Sequence, residues 1–130
     1  MTGNTLKKIL IVDDEQTILF SLSYLLRNER VEVITCDVIE QAEEALATTN
    51  FDMVIADIRM SGVNGIEGLE LLSFIKNKFG TDVIVMTGYG DEDTEADAYR
   101  RGAYHYFNKP IDIPVLLEKV AGKGIPIKYN

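Results

Sequence analysis

The folds open to this chain are limited most by a fivefold alternation of short aliphatic runs with longer stretches of helical spacing. Lys8 to Val12 reads Lys-Ile-Leu-Ile-Val, a run that suits a parallel strand covered on both faces. From Glu15 to Asn28 the residues Ile18, Leu19, Leu22, Leu25 and Leu26 recur at the spacing of a helix laying one face on a sheet. The alternation continues with a strand at Val31 to Thr35, a short helix at Glu40 to Ala47, and a strand at Met53 to Ala56. A helix carrying Leu69, Leu72, Phe74 and Ile75 then ends near Lys78, with Gly80 placed as its stop. Asp82 to Met86 is a fourth strand, and Asp91, Glu92 and Asp93 open a polar helix that closes at Arg100-Arg101 before Gly102. Tyr104 to Phe107 is the fifth strand, Pro110 blocks its continuation, and Ile113 to Val120 is the last helix. Such a pattern predicts an α/β fold, doubly wound, with a five-stranded parallel sheet and five helices on both faces. All strands then point their carboxyl ends at one edge, where ligands bind in sheets of this kind.

Three acids fall at that edge. Asp13 and Asp14 close the first strand and Asp57 closes the third. Clustered carboxylates repel one another, so three beside an apolar sheet imply a cation, and an all-oxygen set suits Mg²⁺. Thr87 and Lys109 follow the fourth and fifth strands, so the fold would bring them to the same place. Singly, each residue has a duller explanation: Asp14 as a helix N-cap, Thr87 as a turn former, Lys109 as a surface charge. Their convergence on one edge is what points to phosphate chemistry.

Composition narrows the partners. A net charge of −8 argues against direct nucleic-acid binding and against an anionic membrane surface. No apolar run is long enough to span a bilayer. Residues Met1 to Lys8 have no signal-peptide core, and the lone Cys36 cannot form an internal disulfide, so the expected compartment is cytoplasmic. Cys36 is most simply a small buried hydrophobe, and His105, the single histidine, a strand side chain rather than a phosphodonor or ligand. The pairs Lys7-Lys8 and Arg100-Arg101 read as solvated element ends. Neither Gly88-Tyr89-Gly90 nor the Gly62, Gly65, Gly68 series has the spacing of a dinucleotide fingerprint.

The run Val12-Asp13-Asp14-Glu15, the run Ile55-Ala56-Asp57-Ile58-Arg59-Met60, then Thr87 and Lys109-Pro110 together resemble the response-regulator receiver domain over residues 6 to 121. The resemblance implies a flavodoxin-like strand order 2-1-3-4-5, with residues 122 to 130 a flexible tail or the start of a linker. It implies that Asp57 is the phosphoacceptor, and that Asp14, Asp57 and the Arg59 backbone carbonyl hold Mg²⁺, with Asp13 acting mainly through a bound water. Lys109 and Thr87 would read the phosphoryl group, and Thr87 and Tyr106 would form the switch, Tyr106 turning inward. The implied partners are a sensor histidine kinase or phosphotransfer protein, and an output domain or effector meeting the fourth helix, fifth strand and fifth helix. The implied state is a monomer or a phosphorylation-dependent dimer. Tyr99 and Tyr104 lie near that surface, and ordinary packing explains them equally well.

The chain departs from the family pattern in places. Ser61 stands where proline is usual, and Arg59 and Tyr89 form a bulky pair flanking the expected phosphoryl position. Lys109-Pro110 resembles the family's cis peptide. Two other functions compete. A Mg²⁺-dependent phosphatase of the haloacid dehalogenase type would need its nucleophile after the first strand in an Asp-x-Asp spacing, which Asp13-Asp14-Glu15 lacks. A binding module that keeps the fold without being phosphorylated would not need the full acidic set with Thr87 and Lys109.

Overall fold

The computed structural model describes residues 6–59, 66–88 and 90–128, leaving aside the side chains of 66 and 67. Strands β1 (Lys7–Val12), β2 (Val31–Cys36), β3 (Met53–Asp57), β4 (Asp82–Thr87) and β5 (His105–Asn108) alternate with helices α1 (Gln16–Leu26), α2 (Ile39–Thr48), α3 (Ile66–Lys78), α4 (Glu92–Arg100) and α5 (Ile113–Ala121). All strand pairs are parallel and the order is β2-β1-β3-β4-β5. The doubly wound fold expected from the alternation is therefore the one observed.

Strand residues divide between two cores by parity, as a pleated sheet requires. Leu10, Val12, Val54, Ala56, Val83 and Val85 pack under α2, α3 and the single buried residue of α4, Ala98. Ile9, Ile11, Met53, Ile55, Ile84 and Met86 pack under α1 and α5. β3 is buried along its whole length because it is central and covered on both faces. α4 is held otherwise: Asp91 caps it by accepting from the Thr94 N–H, and Arg101 reaches Asp97, the Leu69 carbonyl and the Ser73 hydroxyl. Its polarity leaves little apolar surface to bury, so these polar ties replace hydrophobic contact.

Boundaries moved by a residue or two. Asp57 and Thr87 are the last ladder residues of their strands, paired with Met86 and Asn108, rather than the first loop residues. The fifth strand runs from His105 to Asn108, one residue later than Tyr104 to Phe107. Gly80, at φ +70°, ends α3 as expected, its N–H donating to the Ile75 carbonyl. Gly68 has a different reason to be glycine: a Cβ there would stand 2.2 Å from the Ile58 Cα, so α3 can approach the end of β3 only without a side chain.

The segment after α5 packs back onto the domain: Ile125 is buried in the α1/α5 core and the Asn28 side chain donates to the Pro126 carbonyl at 3.1 Å. Lys128 bonds to the Tyr24 carbonyl and its ammonium lies 4.5 Å from the Tyr24 ring centre. Loss of periodicity marks the end of α5, and the segment after it is held by Ile125 and Ile127 against the core together with these polar ties. Ser61, Gly62 and Gly65 lie outside the described residues.

Candidate functional site

The site begins with the parallel register. Val12 pairs with Ala56 and Asp57 with Met86, so the ends of β1, β3 and β4 stand side by side. One oxygen from each of Asp13, Asp14 and Asp57 lies within 4.8 Å of the others. Asp13 and Asp57 are buried and Asp14 is half-buried. The N-cap reading of Asp14 does not hold, because Glu15 occupies that position of α1 and makes no side-chain cap bond.

Local hydrogen bonds fix the carboxylates. Asp13 Oδ1 accepts from the Glu15 N–H at 2.8 Å, and Asp57 Oδ1 accepts from the Arg59 N–H at 2.7 Å. These are tight Asx-type turns that hold each acid at its strand end. The Asp13 N–H donates to the Cys36 carbonyl and the Ile58 N–H to the Met86 carbonyl, tying the loops to neighbouring strands.

Lys109 closes the pocket from β5. Its backbone N–H donates to the Thr87 carbonyl at 2.8 Å, and the Lys109-Pro110 peptide is cis. The ammonium lies 3.0 Å from Asp57 Oδ2, 2.9 Å from Asp13 Oδ2 and 2.7 Å from Glu15 Oε1. Burial pushes the Asp57 carboxyl above its ordinary value, against the lowering effects of the Arg59 N–H and Lys109. Burial likewise raises Asp13, again opposed by Lys109 and by the Glu15 N–H. For Lys109 burial alone would favour the neutral amine, but the carboxylates of Glu15, Asp13 and Asp57 against it outweigh that and raise the ammonium above its usual range.

Negative charge remains in excess. Four acids, counting Glu15, share this pocket with one ammonium, which pairs with three of them, and among the described residues buried Asp13 Oδ2 has the Lys109 ion pair but no well-formed hydrogen bond. A pocket with surplus carboxylate charge and an under-satisfied buried oxygen fits a hard cation with oxygen ligands. The donor set therefore suits a divalent metal.

Thr87 is fully buried at the end of β4, beside this cluster in the strand order. Tyr106, on β5, is buried too, with its hydroxyl 3.3 Å from Asn108 Oδ1 and its N–H donating to the Tyr99 hydroxyl at 3.1 Å. Burial raises the Tyr106 phenol above its ordinary value. The ring sits under Gly90: a Cβ there would fall 1.5 Å from the Tyr106 hydroxyl and 2.6 Å from Thr87 Cγ2. Tyr104 donates to the Lys119 carbonyl, which accounts for it as packing against α5. Tyr89 lies outside the described residues.

Asp13, Asp14, Asp57, Thr87 and Lys109 thus gather at one edge, while His105 and Cys36 take no part in the cluster. Burial pushes the His105 imidazole below its ordinary value, and Cys36 is a buried core residue whose thiol burial raises. Sequence reading missed two residues: Glu15, whose carboxylate shares Lys109, and Gly90, whose lack of a side chain seats Tyr106. Among the described residues no helix is long and apolar enough to cross a membrane.

A family described as the response regulator receiver domain matches residues 9–121. The response regulator protein PilR of Pseudomonas aeruginosa is 34% identical over 116 residues, 88% of this chain. The chain spans only 25% of that relative's length. Sporulation initiation phosphotransferase F of Bacillus subtilis is 32% identical over 95% of this chain and 98% of its own length. A crystal structure of a CheY-like receiver domain protein from Methanospirillum hungatei superposes with a TM-score of 0.81 at 32% identity, covering 92% of this chain and 94% of that one. A beryllofluoride-activated NtrC4 receiver domain dimer gives 0.80 at 32% identity, covering 91% and 96%.

Proposed function

The chain belongs to the response regulator receiver domain family, and from that premise we propose that Asp57 is its phosphoacceptor within a Mg²⁺ pocket of Asp13, Asp14, Asp57 and the Arg59 backbone carbonyl. The observation that carries this reading is the meeting of three carboxylates and the Lys109 ammonium at the end of a buried central strand. When bound, Mg²⁺ would offset the charge that separates an anionic donor from an anionic acceptor. The work of the chain's own groups follows from their positions.

Arg59 N–H and Lys109 hold the two oxygens of Asp57, so the nucleophile is oriented before a donor arrives. An Asp57 oxygen bonds to phosphorus as the donor's phosphorus–nitrogen bond breaks, and the electron pair leaves with the histidine nitrogen. Lys109, already in contact with Asp57, supplies positive charge to the phosphoryl oxygens as it turns from carboxylate to phosphate. The Thr87 hydroxyl donates to one of those oxygens, and Tyr106 follows it. A phosphoryl group adds nearly two charges and several strong acceptors at one point, which biases the β4–α4 region between two arrangements.

The donor on this reading is a phosphohistidine of a sensor kinase or phosphotransfer protein, in a cytoplasmic setting. The output acts through the surface of α4, β5 and α5, as a monomer or a phosphorylation-dependent dimer. Domain limits of 6 to 121 belong to the same reading, with residues 122–128 packed back onto the domain. Phosphoramidate with Mg²⁺ tests it: intact mass should rise by one phosphoryl group. The reading fails if Asp57→Asn gains the same mass, or if chelating the metal leaves the gain unchanged.

A further inference from the structure

The pocket has one member that the family reading leaves without a task. Glu15 Oε1 lies 2.7 Å from Lys109 Nζ, the same ammonium that bonds to Asp57 at 3.0 Å. The three carboxylates on Lys109 differ in access: Asp13 and Asp57 are 0% and 4% exposed, whereas Glu15 is 55% exposed. Glu15 therefore forms the solvent side of the pocket. Its backbone is held at the N-cap of α1 by the bond from its N–H to Asp13 Oδ1, and Lys109 holds its carboxylate at 2.7 Å.

We propose that Glu15 selects the phosphoryl donor by charge, its carboxylate at the pocket mouth disfavouring dianionic donors relative to donors whose leaving nitrogen carries a proton. This rests on the assignment of Asp57 as acceptor. Any donor reaching Asp57 approaches an ammonium already shared with Glu15. As the phosphoryl oxygens take over Lys109, Glu15 loses its partner and faces the incoming charge. A phosphoryl group on Asp57 stands within roughly 6–8 Å of the Glu15 carboxylate, where water-like screening leaves about a two- to fourfold rate effect per unit of donor charge. Acetyl phosphate is a dianion at neutral pH. Phosphoramidate, with its nitrogen protonated, is a monoanion and resembles an N-phosphorylated imidazole in its leaving group.

The chemical step is the same for both. An Asp57 oxygen bonds to phosphorus while the P–O bond to acetate or the P–N bond to ammonia breaks. The bonding pair leaves with acetate, or with nitrogen that already holds its proton.

The experiment compares rates of phosphorylation of the full chain by acetyl phosphate and by phosphoramidate, with Mg²⁺ at low ionic strength. Glu15→Gln should raise the acetyl phosphate rate about 4- to 16-fold and the phosphoramidate rate about two- to fourfold, shifting their ratio about two- to fourfold. Glu15→Asp, which keeps the charge, should leave the ratio near wild type, and high salt should shrink the Gln effect. In the metal-free protein, the Lys109 side-chain NMR signals should move in Glu15→Gln and move less in Glu15→Asp. Equal acceleration of both donors, or no change in either, overturns the proposal while Asp57 phosphorylation stands. Failure of the wild-type chain to accept phosphate from either donor overturns the Asp57 assignment instead.

Discussion

Replacing Gly90 by alanine should drive Tyr106 out of its buried seat. The added Cβ would stand 1.5 Å from the Tyr106 hydroxyl oxygen, 2.8 Å from Cζ and 2.6 Å from Thr87 Cγ2, all inside van der Waals contact. Space is what an added side chain at Gly90 lacks. Rotating the ring into solvent gives up the burial of an aromatic side chain, about 1.5–3 kcal/mol. Part returns because alanine restricts the unfolded chain, by about 0.4–1 kcal/mol. The net expectation is a loss of about 0.5–2.5 kcal/mol, read as a lower urea midpoint at unchanged slope. Near-ultraviolet circular dichroism should report the change in tyrosine environment. In a Tyr106→Ala background the closest clash is gone and, of the three nearest atoms, the Thr87 methyl remains, so the two changes should be coupled by about 1 kcal/mol or more. An alanine variant as stable as wild type with Tyr106 still buried would refute this reasoning, as would an equal cost in both backgrounds.

Three further outcomes rest on the same geometry. Because burial raises Asp13 and Asp57, their contribution to stability is fully present below the unfolded carboxylate pKa, about 3.9, and is lost as pH rises through the raised folded values. Asp13→Asn and Asp57→Asn should therefore raise the unfolding temperature at neutral pH without divalent ions, by about 1 kcal/mol in stability, and should help less near pH 4. Ile125→Ala should cost about 2–4 kcal/mol in chemical denaturation, because the side chain is only 2% exposed in the α1/α5 core; a loss near zero would return residues 122–128 to the status of a loose tail. Arg101→Ala should speed amide exchange in α4 more than in α3, since α4 buries only Ala98 and depends on the ties to Leu69, Ser73 and Asp97.

The order of elements was readable because each helix and strand carries its own period. Ile9 and Ile11 face one core and Leu10 and Val12 the other, a division that comes from pleating once the strand is recognised. Register was not readable: that Asp57 and Thr87 still belong to the ladder depends on Met86 and Asn108 lying opposite them. Glu15 was visible only as a member of its motif, since a half-exposed acid at a helix start looks like any other. Its distinguishing mark is a lysine 94 positions away, which only the fold brings near. Gly90 was harder still, because its need for space is set by a ring on another strand. Lost periodicity after Val120 marks where α5 ends, and it carries no sign of the contacts that Ile125, Pro126, Ile127 and Lys128 make with the domain.

The central claim is that one buried aspartate among the clustered acids takes the phosphoryl group. Reduction of the phosphorylated protein with borohydride converts an acyl phosphate to an alcohol at the residue that carried it, and peptide mapping then locates that residue. The account predicts the reduced side chain at position 57 alone, in amounts that fall when the metal is chelated. Reduction at Asp13, Asp14 or elsewhere, or none despite a retained phosphoryl mass, would contradict it.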